Sequence, residues 1–239
     1  MSEVSDRGSD TFDNAAKASY RSRHLGVLRE QVPELWNDEG RPRLRGAWLE
    51  LMGATGWRTL RLLVDEGALT PSAFVGVDLD AVRIADYRAR YPDARWLAGD
   101  VLDHVHRPDL EDVSVVHFDG YEAAGGRRLE HVGEQLSPLL RRAVARFGAA
   151  VLLWNADLDA TRRLGQPAAR ALRLHATTLA AVLQGAVGAR REFGAEGLLA
   201  AGAEHVVTDA AFVGLVGAFE IYRGKGGGHR MACLRAVLR

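Results

Sequence analysis

The stretch Ala47–Asp80, AWLELMGATGWRTLRLLVDEGALTPSAFVGVDLD, limits the possible folds more than any other part of the chain. It opens with a short apolar run and passes through the small-residue turn Gly53-Ala54-Thr55-Gly56. Leu60, Leu62 and Leu63 follow at helical spacing, and a second apolar run, Phe74–Val77, ends on Asp78 and Asp80. Strand, tight turn, helix, strand and acidic residue, in that order, make a βαβ unit suited to a nucleotide-type ligand. Small turn residues let the backbone approach the ligand closely. The helix that starts there points unpaired N–H groups toward it. A carboxylate at the tip of the second strand can accept hydrogen bonds from ribose hydroxyls.

The chain has 239 residues, 47% of them hydrophobic, which suits one α/β domain with a modest extension. Its formal net charge is zero, so bulk electrostatics drives it toward neither nucleic acid nor membrane. The lysines are Lys17 and Lys225, and the other basic residues are arginines. A single cysteine, Cys233, excludes an internal disulfide and a cysteine-based zinc cluster, and its apolar surroundings suit a core thiol. There is no signal-peptide pattern and no apolar run long enough to span a bilayer, so a cytoplasmic location is expected.

Residues 1–14 are polar and acidic and read as a disordered tail. Ala15–Leu35 carries a helical stripe (Tyr20, His24, Leu25, Val27, Leu28), decorated by Lys17, Arg21, Arg23 and Arg29. Asn37–Gly46 is a turn-rich basic connector, so residues 15–46 form an N-terminal helix plus connector ahead of a domain spanning 47–239. Ala81–Tyr91 is a helix stopped by Pro92, and Asp80 is its N-cap. Ala94–Ala98 and Val113–Phe118 are strands, ending in Gly99-Asp100-Val101 and Asp119-Gly120-Tyr121. Arg128–Phe147 is a long amphipathic helix that Pro138 splits or kinks. Ala149–Trp154 is a strand followed by Asn155-Ala156-Asp157. Pro167–Leu199 is largely helical, and Glu204–Val216 is ambiguous between helix and strand. Ala218–Tyr222 and Arg230–Leu238 are strands flanking the turn Lys225–Gly228, and are therefore antiparallel.

The turn Glu50-Leu51-Met52-Gly53-Ala54-Thr55-Gly56-Trp57-Arg58-Thr59 resembles motif I of the class I S-adenosylmethionine-dependent methyltransferases, nearest to the catechol and caffeoyl-CoA type O-methyltransferases. Glu50 falls on the family's acidic residue, and Met52, Ala54 and Gly56 on its three glycine positions, so two of those glycines are replaced. Gly53 can stand in for the first through a one-residue shift. The Gly99-Asp100 strand end, the Asp119 strand end and the C-terminal hairpin extend the resemblance over about Leu44–Arg239. It implies a Rossmann-like α/β fold, with seven mostly parallel strands, an antiparallel C-terminal hairpin and helices on both faces. It also implies S-adenosylmethionine as cofactor, held by Glu50, Gly53, Gly56, Asp78, Leu79, Asp100, Val101 and Asp119. In this family the N-terminal helix covers one edge of the cofactor cleft.

Methyl transfer chiefly requires that the acceptor be held in line and water excluded, with a base only where the acceptor must lose a proton. Asp119, Tyr121 and Asn155 are the catalytic candidates, with His117 beside them, although His117 within VSVVHF suits a hydrogen-bonded core histidine better. The catechol-type enzymes use a metal bound by an Asp after the fourth strand and an Asp-Asn pair after the fifth. Here the second element reads Trp154-Asn155-Ala156-Asp157, whose spacing does not fit, so no metal is expected. An N-P-P-Y type tetrad is absent, which argues against adenine N6 methylation. The acceptor class stays open among small molecule, peptide and nucleic acid. Arg41, Arg43 and Arg45 could meet a phosphate backbone, but few aromatics accompany them for base stacking. Met52 and Ala54 motivate a second reading, a catalytically degenerate methyltransferase fold serving as a binding or scaffold protein. A nicotinamide-dependent oxidoreductase would need G-x-G-x-x-G, which this turn lacks.

Overall fold

The structure is a computed structural model that describes residues 25–26, 28–37, 42–51, 56–100, 107–119, 127–157, 212–216, 222–223 and 230–239. Chain order gives β1 (Trp36–Asn37), β2 (Arg43–Leu44), β3 (Ala47–Leu51), α1 (Gly56–Asp65), β4 (Phe74–Asp78), α2 (Ala81–Arg90) and β5 (Arg95–Ala98). These are followed by β6 (Val113–Asp119), α3 (Arg127–Phe147), β7 (Ala150–Asp157), β8 (Phe212–Val216), β9 (Tyr222–Arg223) and β10 (Arg230–Leu238).

The main sheet runs β5-β4-β3-β6-β7-β10-β8, with β9 also paired to β10. Strands β5, β4, β3, β6 and β7 are mutually parallel. Strand β10 is antiparallel to β7 on one side and to β8 and β9 on the other. This is the expected Rossmann-like sheet with its inserted antiparallel strand, with eight strands among the described residues where seven were expected, because the two-residue β9 lies beside β10 as well as β8.

Chain direction explains why helices cover both faces. From β3 the chain steps to β4 on one side, and from β6 to β7 on the other. Parallel crossovers are right-handed, so the two crossover helices, α1 and α3, must lie on opposite faces. One face carries Trp48, Phe74, Trp96, Val115, Val151, Leu153 and Val237, packed with Leu60 and Leu63 of α1 and Ile84 and Tyr87 of α2. The alternate residues Leu49, Leu51, Val75, Val77, Val116, Phe118, Leu152 and Trp154 are buried as well, so these strands are apolar on both sides.

Leu25, Leu28, Val32, Leu35 and Trp36 join the first of these cores, so the N-terminal segment is built into the domain. It departs from the expected single helix. Residues 28–31 are helical, but Val32 takes φ −132° ahead of Pro33, and Pro33–Leu35 form a 3-10 turn. A residue before proline is pushed out of the α region, which ends the helix there. The expected connector is a two-stranded antiparallel ribbon, with Trp36 opposite Leu44 and Asn37 opposite Arg43. The Asn37 side chain accepts from the Arg43 amide at 2.9 Å, which closes the ribbon.

Other expectations need adjustment too. Pro138 lies inside α3, which runs unbroken from Arg127 to Phe147. Asn155, Ala156 and Asp157 continue β7 instead of following it, because β10 supplies ladder partners for them in Cys233, Ala232 and Met231. The ambiguous segment ends in the strand Phe212–Val216, and the strand expected over Ala218–Tyr222 is described only as Tyr222–Arg223. The tail 1–14, the segment 167–199 and the turn 225–228 lie outside the described residues.

Candidate functional site

All five parallel strands end at one edge of the sheet, and the order in which strands are added reverses between β3 and β6. In open α/β sheets that reversal opens a crevice above the carboxyl ends of the strands. The elements meeting there are the end of β3, the start of α1, Asp78, Gly99-Asp100 and Asp119.

Asp78 closes β4, and its side chain is only 13% exposed. Oδ1 accepts from the Asp80 amide at 2.9 Å, and Arg83 Nη1 lies 3.9 Å from Oδ2. An ionised carboxylate has about four acceptor positions, so these contacts leave capacity for a diol. Asp80 is the N-cap of α2, as its sequence position suggested, accepting from the amides of Val82 and Arg83 at 3.0 Å each. The division of labour between the two aspartates is therefore clear. Asp80 holds the helix, and Asp78 holds the turn that presents its own second oxygen.

The tip of β5 is tied to the tip of β4. The Gly99 amide donates to the Asp78 carbonyl at 2.9 Å, and Gly99 has φ +133°, where a side chain would be strained. That bond ties the residue before Asp100 to the backbone of Asp78. Leu79 is 49% exposed at the same edge, and Val82 on the first turn of α2 is also exposed. Both leave apolar surface open to solvent just beyond the carboxyl end of β4.

Glu50 sits differently. It is 1% exposed, with its carboxylate inside the domain beneath α1. Trp48 Nε1 donates to Oε2 at 2.9 Å, Thr59 Oγ1 donates to Oε1 at 3.0 Å, and His117 Nδ1 is 2.7 Å from Oε2. Strand geometry produces the cluster. Trp48 and Glu50 share a face two residues apart, and Glu50 is in register with His117 on β6. His117 is 4% exposed, so it is the hydrogen-bonded core histidine that the sequence suggested.

Asp119 and Asn155, two of the three catalytic candidates, are paired in register, Asp119 at the end of β6 and Asn155 two residues short of the end of β7. Tyr121, Gly53, Val101 and Arg41 lie outside the described residues, as do Met52 and Ala54. Gly56 is the first residue of α1. Arg43 is exposed, and Arg45 donates through Nη1 to the Glu34 carbonyl at 3.0 Å. Sequence reasoning missed Thr59 and Arg83. Thr59 could have been found as a hydroxyl in the first turn of an otherwise apolar helix face, and Arg83 as a cation five residues beyond Asp78. Among the described residues no group of three or more His, Cys, Asp and Glu is placed to hold a metal, and no helix is long and apolar enough to cross a membrane.

No protein-family model and no curated protein matches the chain. Solved structures do resemble it. The sugar N-methyltransferase KedS8 from Streptoalloteichus sp ATCC 53650 aligns at TM-score 0.38 and 19% identity over 64% of this chain and 53% of that one. DesVI of Streptomyces venezuelae aligns at TM-score 0.36 and 20% identity over 62% of this chain and 51% of that one. The N-methyltransferase NodS from Bradyrhizobium japonicum WM9 aligns at TM-score 0.40 and 17% identity over 92% of this chain and 95% of that one. The chain spans about half the length of the first two. The functional reading rests on the geometry of this chain itself.

Proposed function

We propose that the chain is an S-adenosylmethionine-dependent methyltransferase whose cofactor lies across the carboxyl ends of β3, β4, β5 and β6. The observation that carries this reading is Asp78. It is a nearly enclosed carboxylate with spare acceptor capacity, at the strand tip beside the point where the sheet reverses. The residues fit the group. Asp78 would take the ribose hydroxyls, Leu79 and Val101 the flat face of the base, and Asp100 its amino group. Gly53 and the first-turn amides of α1, from Gly56 on, would meet the amino-acid moiety, with Glu50 behind them. Asp119 would close the crevice from β6.

When bound, the cofactor supplies an electrophilic methyl group on sulfur. The chain's own task is then to align an acceptor and exclude water. Asp119 at the tip of β6 and Asn155, its register partner two residues short of the end of β7, are the groups to orient it, and Tyr121 is the third candidate. Asp119 would accept a proton where the acceptor carries one. The acceptor is a small molecule or a nucleic acid, with Arg41, Arg43 and Arg45 available to the latter. A cytoplasmic location belongs to the same reading.

Isothermal titration with S-adenosylhomocysteine tests the proposal, with NADH as control. Micromolar binding by the native chain, abolished by Asp78→Ala, is the expected result. A native chain that binds neither ligand points to the degenerate scaffold reading. There, restoring glycine at positions 52 and 54 should bring affinity back.

A further inference from the structure

We propose that Glu50 is a positioning residue that acts on the cofactor site through Thr59, rather than a group that touches the cofactor. The inference rests on the methyltransferase reading for its binding readout, but not for its structural one. Glu50 is near the end of β3, and Thr59 is in the first turn of α1. Their 3.0 Å hydrogen bond spans the link between strand and helix, so it sets where the first amides of α1 stand relative to the sheet. The other carboxylate oxygen is held by Trp48 from the same strand and by His117 from β6. The Trp48 and His117 rings meet in a T-shaped arrangement with centroids 6.0 Å apart, which holds both rings against the carboxyl group. Three elements thus converge on one side chain.

The energetics argue that this arrangement serves more than packing. A carboxylate in the interior is costly unless every lone pair is met, and apolar side chains of similar volume would fill the same space without that cost. A hydrogen bond to a carboxyl oxygen, by contrast, is directional. It specifies one orientation of α1 where an apolar contact would tolerate several. The start of α1 would have to face the ligand accurately.

Thr59→Val keeps the shape and deletes the donor, and Thr59→Ser restores it. S-adenosylhomocysteine affinity, melting temperature and amide exchange of Gly56–Leu60 are measured for both, for Glu50→Gln and for Glu50→Gln/Thr59→Val. The expected result is about tenfold weaker binding for Thr59→Val, the scale of one lost charged hydrogen bond. Recovery in Thr59→Ser, an effect of the double variant smaller than the sum, and faster exchange confined to the start of α1 should accompany it. Native affinity in Thr59→Val with lost binding in Glu50→Gln would overturn the proposal and make Glu50 a direct ligand. A lower melting temperature with unchanged affinity and no local exchange would overturn it in favour of packing alone. If the native chain binds no S-adenosylhomocysteine, the methyltransferase reading fails. The exchange comparison then decides by itself: local opening in Thr59→Val supports the clamp, and its absence refutes it.

Discussion

Trp96 covers Gly76 so closely that a Cβ on the glycine would lie 2.3 Å from Cζ3 of the indole. The two residues are paired in register on β5 and β4, and the indole also meets Phe74 and Tyr87, at centroid distances of 5.5 and 5.0 Å. Gly76 is therefore the recess that lets α2 settle on the sheet. Gly76→Ala should destabilise the fold by about 1–3 kcal/mol, the usual cost of overpacking a filled core. In urea titrations the midpoint should fall without a change in slope. Adding Trp96→Phe should give less than the sum of the two single effects, because the sites touch.

Gly46 and Gly148 both have positive φ, at +127° and +81°, yet they should respond differently to alanine. A Cβ on Gly46 would meet the Asp112 carbonyl at 2.7 Å, Ser114 Oγ at 2.8 Å and Phe147 Cζ at 2.9 Å, whereas Gly148 has nothing within 4 Å. Gly148→Ala should cost about 1 kcal/mol of backbone strain, and Gly148→Asn less. Gly46→Ala should cost more than either. Equal losses in thermal denaturation would contradict the geometry.

Asp80→Ala removes both cap bonds to α2 and should cost about 1 kcal/mol. The expected signature is faster amide exchange at Val82 and Arg83, the two groups left without their acceptor. An unchanged exchange pattern would show that the cap does not set the stability of that turn.

Glu34 gives a pH dependence. The Arg239 guanidinium hydrogen-bonded to it, through Nη2 at 3.2 Å and through Nε, holds its carboxyl below the ordinary range. A carboxyl lowered on folding contributes stability above its unfolded value and loses it as pH falls through the folded value. Both partners are partly exposed, so the pair is worth about 0.5–1 kcal/mol. Glu34→Gln should therefore be less stable than the native chain near neutrality. The gap should close in acid and shrink in high salt. A constant gap from acid to neutral pH would rule out the ion pair as its source.

The sheet was legible from the sequence because its strands are apolar and end on aspartates or glycine. Phe74–Asp78 and Arg230–Leu238 stand as the patterning indicated. The end of β7 was misjudged because Asn155 and Asp157 look like loop residues. Their place in a strand is set by β10, about 75 residues downstream, which no local pattern reveals. The ribbon of β1 and β2 was missed for a related reason. Two residues a side give no alternation to detect, and the pairing depends on the Asn37 side chain. At the site, Asp78 and Asp80 could be told apart by position alone, since Asp80 directly precedes the helix. The inward placement of Glu50 could not, because motif spacing locates a residue along the strand without saying which groups from α1 and β6 converge on it.

The insertion of β10 between β7 and β8 also governs the order of assembly. Among the described residues, strand β8 leaves the ribosome before β10, the strand it pairs with, and the far edge of β7 is open until that same strand arrives. A nascent chain stopped short of Arg230 would present a bare β7 edge, the kind that recruits a second chain. Synthesis of this protein thus includes an interval in which it is best shielded by a chaperone, and that interval ends with the emergence of a single nine-residue segment.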